Sequence, residues 1–409
     1  MNFNVLGLSP PILKALKEKK YHIPTEIQQK AIPLILQKAD ILGSAQTGTG
    51  KTAAFALPII QLIDGMDRDG KKVLRSLIIT PTRELAIQIG ENVANYSKHT
   101  DIRHTVVFGG VNQNTQTNAL KRGVDILIAT PGRLLDLINQ GYIKLDTIKL
   151  FVLDEADRML DMGFINDIKK IIRLLPEKRQ SLFFSATMPE NIVRLSKDIL
   201  RNPRKIEVSP VSSAAETIKQ YIFYTNKSSK KDLLLYVLTD ASMDQVLLFS
   251  RTKHGADKIA RNLNNKNIRA AAIHGDKAQN NRQKVLSEFK KGNIRVLVAT
   301  DIAARGIDID KLRYVINYDI PDQAETYVHR IGRSGRAGES GVAISFSEPE
   351  ENDYVRDIEK LIDKSIIIID KNPFPQTDKP MTKAEKAEFN KEKQRRKNEF
   401  FANRKKNRR

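Results

Sequence analysis

Ile126-Leu127-Ile128-Ala129-Thr130-Pro131-Gly132-Arg133 reads as a short apolar strand that stops at a threonine and hands over to a helix. About 170 residues later Val296-Leu297-Val298-Ala299-Thr300 makes the same approach and continues into Asp301-Ile302-Ala303-Ala304-Arg305-Gly306. Unbroken apolar runs of this length suit strands buried on both faces, as in a parallel sheet covered by helices. Working outward, similar runs are expected at 76–80, 105–108, 125–130, 150–153 and 181–185. A second set is expected at 221–225, 245–250, 269–274, 295–300, 313–318 and 342–347. Each closes on Gly, Pro, Asp, Ser or Thr, where a helix can begin and where open α/β sheets bind ligands. The period is too long for a solenoid. It predicts two tandem α/β domains, over 1–208 and 217–365, joined by a polar linker at 209–216 that contains Pro210.

Composition bounds what such a chain can do. Its 409 residues exceed what one hydrophobic core organises. At 40% hydrophobic and 29% charged residues, wholesale disorder is excluded. A net charge of +21 favours a polyanionic partner. The absence of cysteine excludes disulfides, thiolate metal sites and cysteine nucleophiles. No apolar run is long enough to span a bilayer, and Met1-Asn2-Phe3-Asn4 lacks the basic start of a secretory signal, so a cytoplasmic location is expected. From Lys371 to Arg409 there are 14 Lys and Arg against 5 Asp and Glu. The stretch 366–409 is therefore expected to be a disordered basic tail, with a transient helix around 382–399. Such a tail could hold nucleic-acid phosphates, stacking its phenylalanines on bases, or simply aid solubility.

Three motifs carry chemistry. In Ala45-Gln46-Thr47-Gly48-Thr49-Gly50-Lys51-Thr52 the glycines let successive N–H groups point at phosphate oxygens, and a helix start adds partial positive charge. Lys51 would reach the β- and γ-phosphates, and the Thr52 hydroxyl would ligate Mg²⁺. A buried strand at 150–153 then delivers Asp154-Glu155-Ala156-Asp157. Asp154 would hold the metal, partly through water, and Glu155 would orient or deprotonate the attacking water. Together these predict an NTPase. In the second half, His329-Arg330-Ile331-Gly332-Arg333-Ser334-Gly335-Arg336 offers three arginines to charge developing on a transferred phosphoryl group. A loop that binds only nucleic-acid phosphate is the other reading of that run. If the arginines act on the nucleotide from a separate domain, hydrolysis requires the domains to close.

With these motifs in order, residues 3–365 resemble the DEAD-box ATP-dependent RNA helicases, the bacterial RhlE-like branch most closely. The resemblance implies two RecA-like domains and the cofactors ATP and Mg²⁺. Tyr21-His22-Ile23-Pro24-Thr25-Glu26-Ile27-Gln28 is similar to the adenine-reading Q motif, with Phe3 as the isolated aromatic before it. By that similarity Tyr21 stacks on adenine and Gln28 bonds its edge. Lys20 stands where Gly is usual, and Glu26 where Pro is frequent. Ala45, odd for a general phosphate loop, is normal in the family. Ser185-Ala186-Thr187 is similar to the segment that couples hydrolysis to duplex opening, its hydroxyls bonding near Asp157, with His329 in a related coupling role. Pro81 and Arg83, Gly109-Gly110, and Thr130 with Gly132 and Arg133 match first-domain RNA contacts. Arg251, Gly275, Gln279 with Arg282, and Thr300-Asp301 match those of the second domain. Gly306 and Asp308 match the segment that touches the ATP ribose, and Arg333 and Arg336 match the family's arginine fingers.

The resemblance implies RNA held through its backbone, with little sequence specificity, and local strand separation driven by ATP. Ribosome-assembly or RNA-decay proteins are the partner classes compatible with it, and a monomer is expected. A DNA-directed helicase and an ATP-gated RNA clamp that assembles complexes without unwinding are the competing readings.

Overall fold

The computed structural model describes residues 2–45, 49–66, 73–208, 218–304, 312–335 and 341–380, together with Glu385, Glu392 and Arg395. The expected linker at 209–216 and the expected transient helix lie outside these residues, apart from the three isolated ones. The chain forms two compact units, one around each of two seven-stranded sheets.

In the first unit, strands β1 (Ile41–Ser44), β2 (Ser76–Ile79), β3 (His104–Val107), β4 (Ile126–Ala129), β5 (Leu150–Leu153), β6 (Gln180–Ser185) and β7 (Arg204–Glu207) take the order β3-β4-β2-β5-β6-β1-β7. In the second, β8 (Ile218–Tyr224), β9 (Val246–Phe249), β10 (Ala270–Ile273), β11 (Val296–Ala299), β12 (Tyr314–Asn317), β13 (Gly341–Ser347) and β14 (Ile367–Ile368) take the order β10-β11-β9-β12-β13-β8-β14. The second order is the first with seven added to every strand number. All pairings in both sheets are parallel.

Side-chain alternation divides the first unit's core. Ile126, Ile128, Val152 and Phe184 join the cluster on one face, whereas Leu127, Ala129, Phe151 and Phe183 join the cluster on the other. Strands buried on both faces therefore read as continuous apolar runs, and each of the eleven expected runs overlaps a strand. The strands that the pattern misses lie towards one edge. Arg204-Lys205-Ile206-Glu207 buries only Ile206, as befits an edge strand, and β14 is two residues long.

One expected boundary is corrected. The segment from 366 to 380 is not a tail but part of the second unit. Ile366 is buried, Ile369 N–H donates to Ile222 O at 3.0 Å, and Phe374 packs on the second core. Thr225 Oγ1 donates to Phe374 O at 2.7 Å, and Gln376 N–H to Tyr224 O at 3.1 Å. The strong positive charge averaged over 371–409 conceals this short apolar stretch.

Candidate active site

Strand order decides which motifs meet. In the first sheet β5, β6 and β1 are neighbours, so the ends carrying Asp154, Ser185 and Ala45 lie side by side. β3, β4 and β2 form the other half, and their ends carry Gly109, Thr130 and Pro81. The motifs read as nucleotide-binding and those read as RNA-binding thus occupy separate halves of one sheet edge.

β1 runs through Ala45, whose N–H donates to Ser185 O at 3.1 Å, towards the helix Lys51–Asp64. Gln46, Thr47 and Gly48 lie outside the described residues. Gly50 caps that helix at φ 92°, a left-handed conformation, and a Cβ there would strike the Gln28 amide. Gln28 is already engaged: its Oε1 accepts from Thr25 N–H at 2.9 Å and its Nε2 donates to Gly50 O at 3.1 Å. This ties the segment read as adenine-binding to the phosphate loop. Thr49 and Thr52 flank the loop, half-buried. Lys51 is 6% exposed, and its Nζ donates to Ala45 O at 2.8 Å.

At the end of β5, Asp154 is buried and its Oδ1 has no hydrogen-bond partner. Burial raises its carboxyl above the ordinary range, Lys51 pulls it down, and Glu155 pushes it up again. A cation beside it would restore the charged form, so the orphaned oxygen fits Mg²⁺. Among the described residues no three His, Asp or Glu side chains group to hold a metal alone. Phosphate oxygens and water would have to complete the shell. Glu155 adopts φ 56° and ψ 51°, a left-handed conformation costing about 1–2 kcal/mol for a non-glycine residue. Its carboxylate pairs with buried Arg158, three residues on, a partner that the motif reading did not include.

Asp157 straps the neighbouring strand ends together. Its Oδ2 accepts from Thr187 N–H at 2.9 Å, Thr187 Oγ1 at 3.0 Å and Ala186 N–H at 3.2 Å. Asp157 N–H donates to Ser185 Oγ at 3.2 Å, and that hydroxyl donates to Thr187 O at 2.7 Å. The hydroxyls of Ser185 and Thr187 therefore do bond at Asp157.

Tyr21 is aimed by a helix ending. After the helix Pro10–Glu18, Lys20 N–H donates to Lys17 O and Tyr21 N–H to Leu16 O, both at 3.0 Å. This doubly bonded turn needs a left-handed residue, and Lys20 supplies it at φ 59°. Tyr21 stays 41% exposed, tilted against buried Tyr96 at 6.5 Å, with the Lys19 ammonium 5.7 Å from both rings. Phe3 is placed differently: it is a buried core side chain.

In the RNA-motif half, Thr82 caps the helix Arg83–Tyr96 by accepting from Leu85 N–H at 3.3 Å, just after buried Pro81. The Arg83 guanidinium lies where a Cβ on Gly110 (φ 77°) would be, so that position too requires glycine; Gly109 precedes it. Thr130 stands at the N-terminal cap position of the helix Pro131–Asn139 without a side-chain capping bond, and Gly132 faces open space. Arg133 reaches Val111 O at 3.4 Å, while its buried Nη1 has no partner.

In the second sheet, β10, β11 and β9 repeat that half-sheet order, and the chain leaves them at His274, at Thr300 and at Ser250-Arg251. The segment Gly275–Lys284 falls within the first compact unit: Gly275 faces open space, and Gln279 opens the helix Gln279–Lys290, which carries Arg282. Asp301 is held in two bonds by Arg330, at 2.5 and 2.8 Å. Arg330 is buried, donates to Asp319 O at 2.6 Å and stands 5.1 Å over the Phe249 ring. Of the three arginines read together as fingers, Arg330 is thus a fold-forming residue. Arg333, whose Nε donates to His329 O at 3.2 Å, keeps to the end of the helix Ala324–Ile331. Gly306, Asp308 and Arg336 lie outside the described residues. Among the described residues no helix is long and apolar enough to cross a membrane.

Comparison with known proteins agrees with this geometry. The DEAD/DEAH box helicase family matches residues 25–195, and the helicase conserved C-terminal domain matches 229–338. The ATP-dependent RNA helicase CshA of Limosilactobacillus reuteri is 44% identical over 361 residues, 88% of this chain and 72% of that protein. CshA of Bacillus cereus is 43% identical over 358 residues, 88% of this chain and 67% of its own length. Among solved structures, S. cerevisiae Dbp5 bound to RNA and ADP BeF3 has a TM-score of 0.80 at 32% identity, covering 90% of this chain and 95% of that one. These matches do not single out the RhlE-like branch.

Proposed function

The chain belongs to the DEAD-box family of ATP-dependent RNA helicases, and on that premise we propose that its two units close on ATP and single-stranded RNA and so open a short stretch of duplex. The observation that carries the mechanism is the division of the sheet edge, with Lys51, Asp154 and Asp157 in one half and Arg83, Thr130 and Arg133 in the other. The loop amides around Thr49 and Gly50, with Lys51, bind the β- and γ-phosphates. Tyr21 and Gln28 take the adenine. Bound Mg²⁺, held by Thr52 and Asp154, would neutralise phosphate charge. Glu155 orients the attacking water, its carboxylate fixed by Arg158. Arg333 and Arg336 meet the γ-phosphoryl group from the second unit, so turnover needs closure. Gly306 and Asp308 contribute the ribose contact.

RNA lies along the strand ends that carry Pro81, Arg83, Gly109, Gly110, Thr130, Gly132 and Arg133, and along those that carry Arg251, Gly275, Gln279, Arg282, Thr300 and Asp301. The Asp157–Ser185–Thr187 strap sits at the border of the nucleotide half and carries the state of the γ-phosphate to the RNA half, with His329 its counterpart on the second unit. The functional domains are then 1–208 and 217 to about 380, with 209–216 as the linker between them. The basic residues beyond 380 add sequence-independent affinity for RNA. We place the protein in the cytoplasm, as a monomer acting on ribosomal or decaying RNA.

The deciding measurement is steady-state ATP hydrolysis with and without single-stranded RNA, against an equal length of DNA. Stimulation by RNA alone supports this reading. Equal stimulation by DNA would favour a DNA-directed helicase, because the 2′-OH would then not matter. Glu155→Gln should abolish turnover yet keep ATP-dependent RNA binding, and loss of that binding would refute closure. RNA-stimulated turnover without strand separation would favour the clamp.

A further inference from the structure

The second unit repeats the first strand for strand, so β8 and the helix Lys230–Val237 stand where β1 and the helix Lys51–Asp64 stand. Lys230, like Lys51, is the first residue of its helix, and it is 2% exposed. Its ammonium meets carboxylates of the same unit. Nζ lies 2.7 Å from Glu351 Oε2, 3.7 Å from Asp319 Oδ1 and 4.0 Å from Glu348 Oε2. Glu351 is 1% exposed, and both its oxygens are fully engaged. Oε2 also accepts from Glu348 N–H at 3.2 Å, and Oε1 accepts from Ile320 N–H at 3.2 Å and from Arg251 Nη2 at 2.6 Å.

Arg251 is anchored on one side only. Its N–H donates to Asp319 Oδ2 at 2.8 Å, and Nη2 donates to Ile320 O at 2.8 Å as well as to Glu351. Its side chain remains 47% exposed. A free arginine loses its rotamer freedom when it captures a phosphate, whereas one already fixed along one edge loses little. A lone carboxylate would achieve that fixing at the expense of the arginine's own attraction for phosphate. Lys230 removes the objection by cancelling the Glu351 charge from behind.

We propose that Glu351 is a positioning residue for RNA binding: seated against Lys230 in the second unit's counterpart of the phosphate site, it holds Arg251 so that the free edge of the guanidinium meets an RNA phosphate. This rests on the assignment of Arg251 as an RNA contact. The counterpart site has become the rear support of an RNA ligand, its place for phosphate filled by a side chain.

The test uses the full chain and reads two quantities, the RNA concentration that half-saturates ATP hydrolysis and kcat at saturating RNA. Glu351→Gln leaves Lys230 buried opposite an amide and could unfold the unit. The paired change K230M/E351Q removes both charges and keeps the volume. Each folded variant should raise half-saturating RNA about tenfold while kcat moves far less. In the triple variant K230M/R251Q/E351Q the loss should not exceed that of R251Q alone, because both changes remove one RNA contact. K230M/E351Q that melts cooperatively and needs no more RNA than the parent would overturn the proposal. So would losses that multiply in a triple variant that melts cooperatively. Were R251Q itself to leave the RNA requirement unchanged in an RNA-stimulated enzyme, the assignment of Arg251 would fall and the proposal with it. A parent chain indifferent to RNA would instead refute the helicase mechanism on which both rest.

Discussion

Lys51 and Lys230 hold the same station in two copies of one topology, yet they have opposite surroundings. Lys51 comes after a glycine-rich loop, bonds to a backbone carbonyl of that loop and faces an aspartate with an unpartnered oxygen. Lys230 comes after Thr225-Asn226-Lys227-Ser228-Ser229, without a glycine, and is saturated by Glu351. The same strand order therefore supports the proposed phosphate site in one unit and a self-filled counterpart in the other. Function resides in the residues just beyond each strand, and the fold alone would not have told the two units apart. Removing each lysine in turn is the most severe trial of this divergence. Lys51→Ala should lower kcat for ATP by about 10³-fold with little change in melting, read by steady-state turnover and calorimetry. Lys230→Met should do the reverse, leaving Glu351 buried with its principal counter-ion gone. That should destabilise the second unit by about 3–5 kcal/mol while the first unit still binds nucleotide. If Lys230→Met abolished nucleotide binding without changing the melting profile, the two stations would not have diverged as described.

The strand ends beside each lysine deepen the contrast. In the first unit Asp157 carries three bonds from Ala186 and Thr187. In the second, Asn317 at the end of β12 and Ser345, its register partner inside β13, share a bond between neutral groups, Asn317 Nδ2 to Ser345 Oγ at 3.2 Å. A charged acceptor gives the stronger bond, worth about 1.5–3 kcal/mol against about 1 for a neutral pair. Thr187→Val should therefore reduce duplex unwinding by about tenfold more than it reduces RNA-stimulated ATP hydrolysis. Equal losses in the two assays would mean that the strap only shapes the nucleotide site.

The two sheets also end differently. β7 is a bare edge strand, whereas the chain beyond β14 returns through Asn372, Phe374 and Gln376 to cover the end of β8. Ending the chain after Asp370 should lower the second unit's melting midpoint by several degrees, because Phe374 and its bond with Thr225 Oγ1 are lost. Ending it after Pro380 should leave that midpoint unchanged and flatten only the salt dependence of RNA affinity. Identical melting of the two truncations would return 371–380 to the tail.

How far this was legible in the sequence depends on how local each feature is. The buried strands announce themselves because both faces are apolar, and Lys51 and Asp154 because a phosphate site needs glycines and an acid at fixed spacing. Arg158 supports Glu155 from the next turn, yet it lies in an unremarkable helical stretch. Arg330 sits in a run of arginines, and only the fold distinguishes it from Arg333. Glu351 is hardest to see: Glu348-Pro349-Glu350-Glu351 reads as a solvated acidic turn, and its partners Lys230 and Arg251 are 121 and 100 residues away. Contacts assembled by topology from distant, chemically ordinary residues leave no local signature.

The smallest expected effect lies in a part of the first unit that precedes its first strand. Lys20 and Lys38 end two successive helices there in left-handed backbone, at φ 59° and 62°. Both turns show the same pair of bonds, since Lys38 N–H donates to Ile35 O and Ala39 N–H to Leu34 O. Glycine adopts this conformation without the Cβ clash, although it gives back part of the gain through a more flexible unfolded chain. Lys20→Gly should accordingly stabilise the first unit by about 0.5–1 kcal/mol. Its effect on ATP affinity decides what the lysine is for. Relief of strain alone leaves half-saturating ATP unchanged. Weaker ATP binding in the more stable variant would mean that the strained turn is retained because it stiffens the approach to Tyr21, a constraint for which the second unit, with no base to read, has no use.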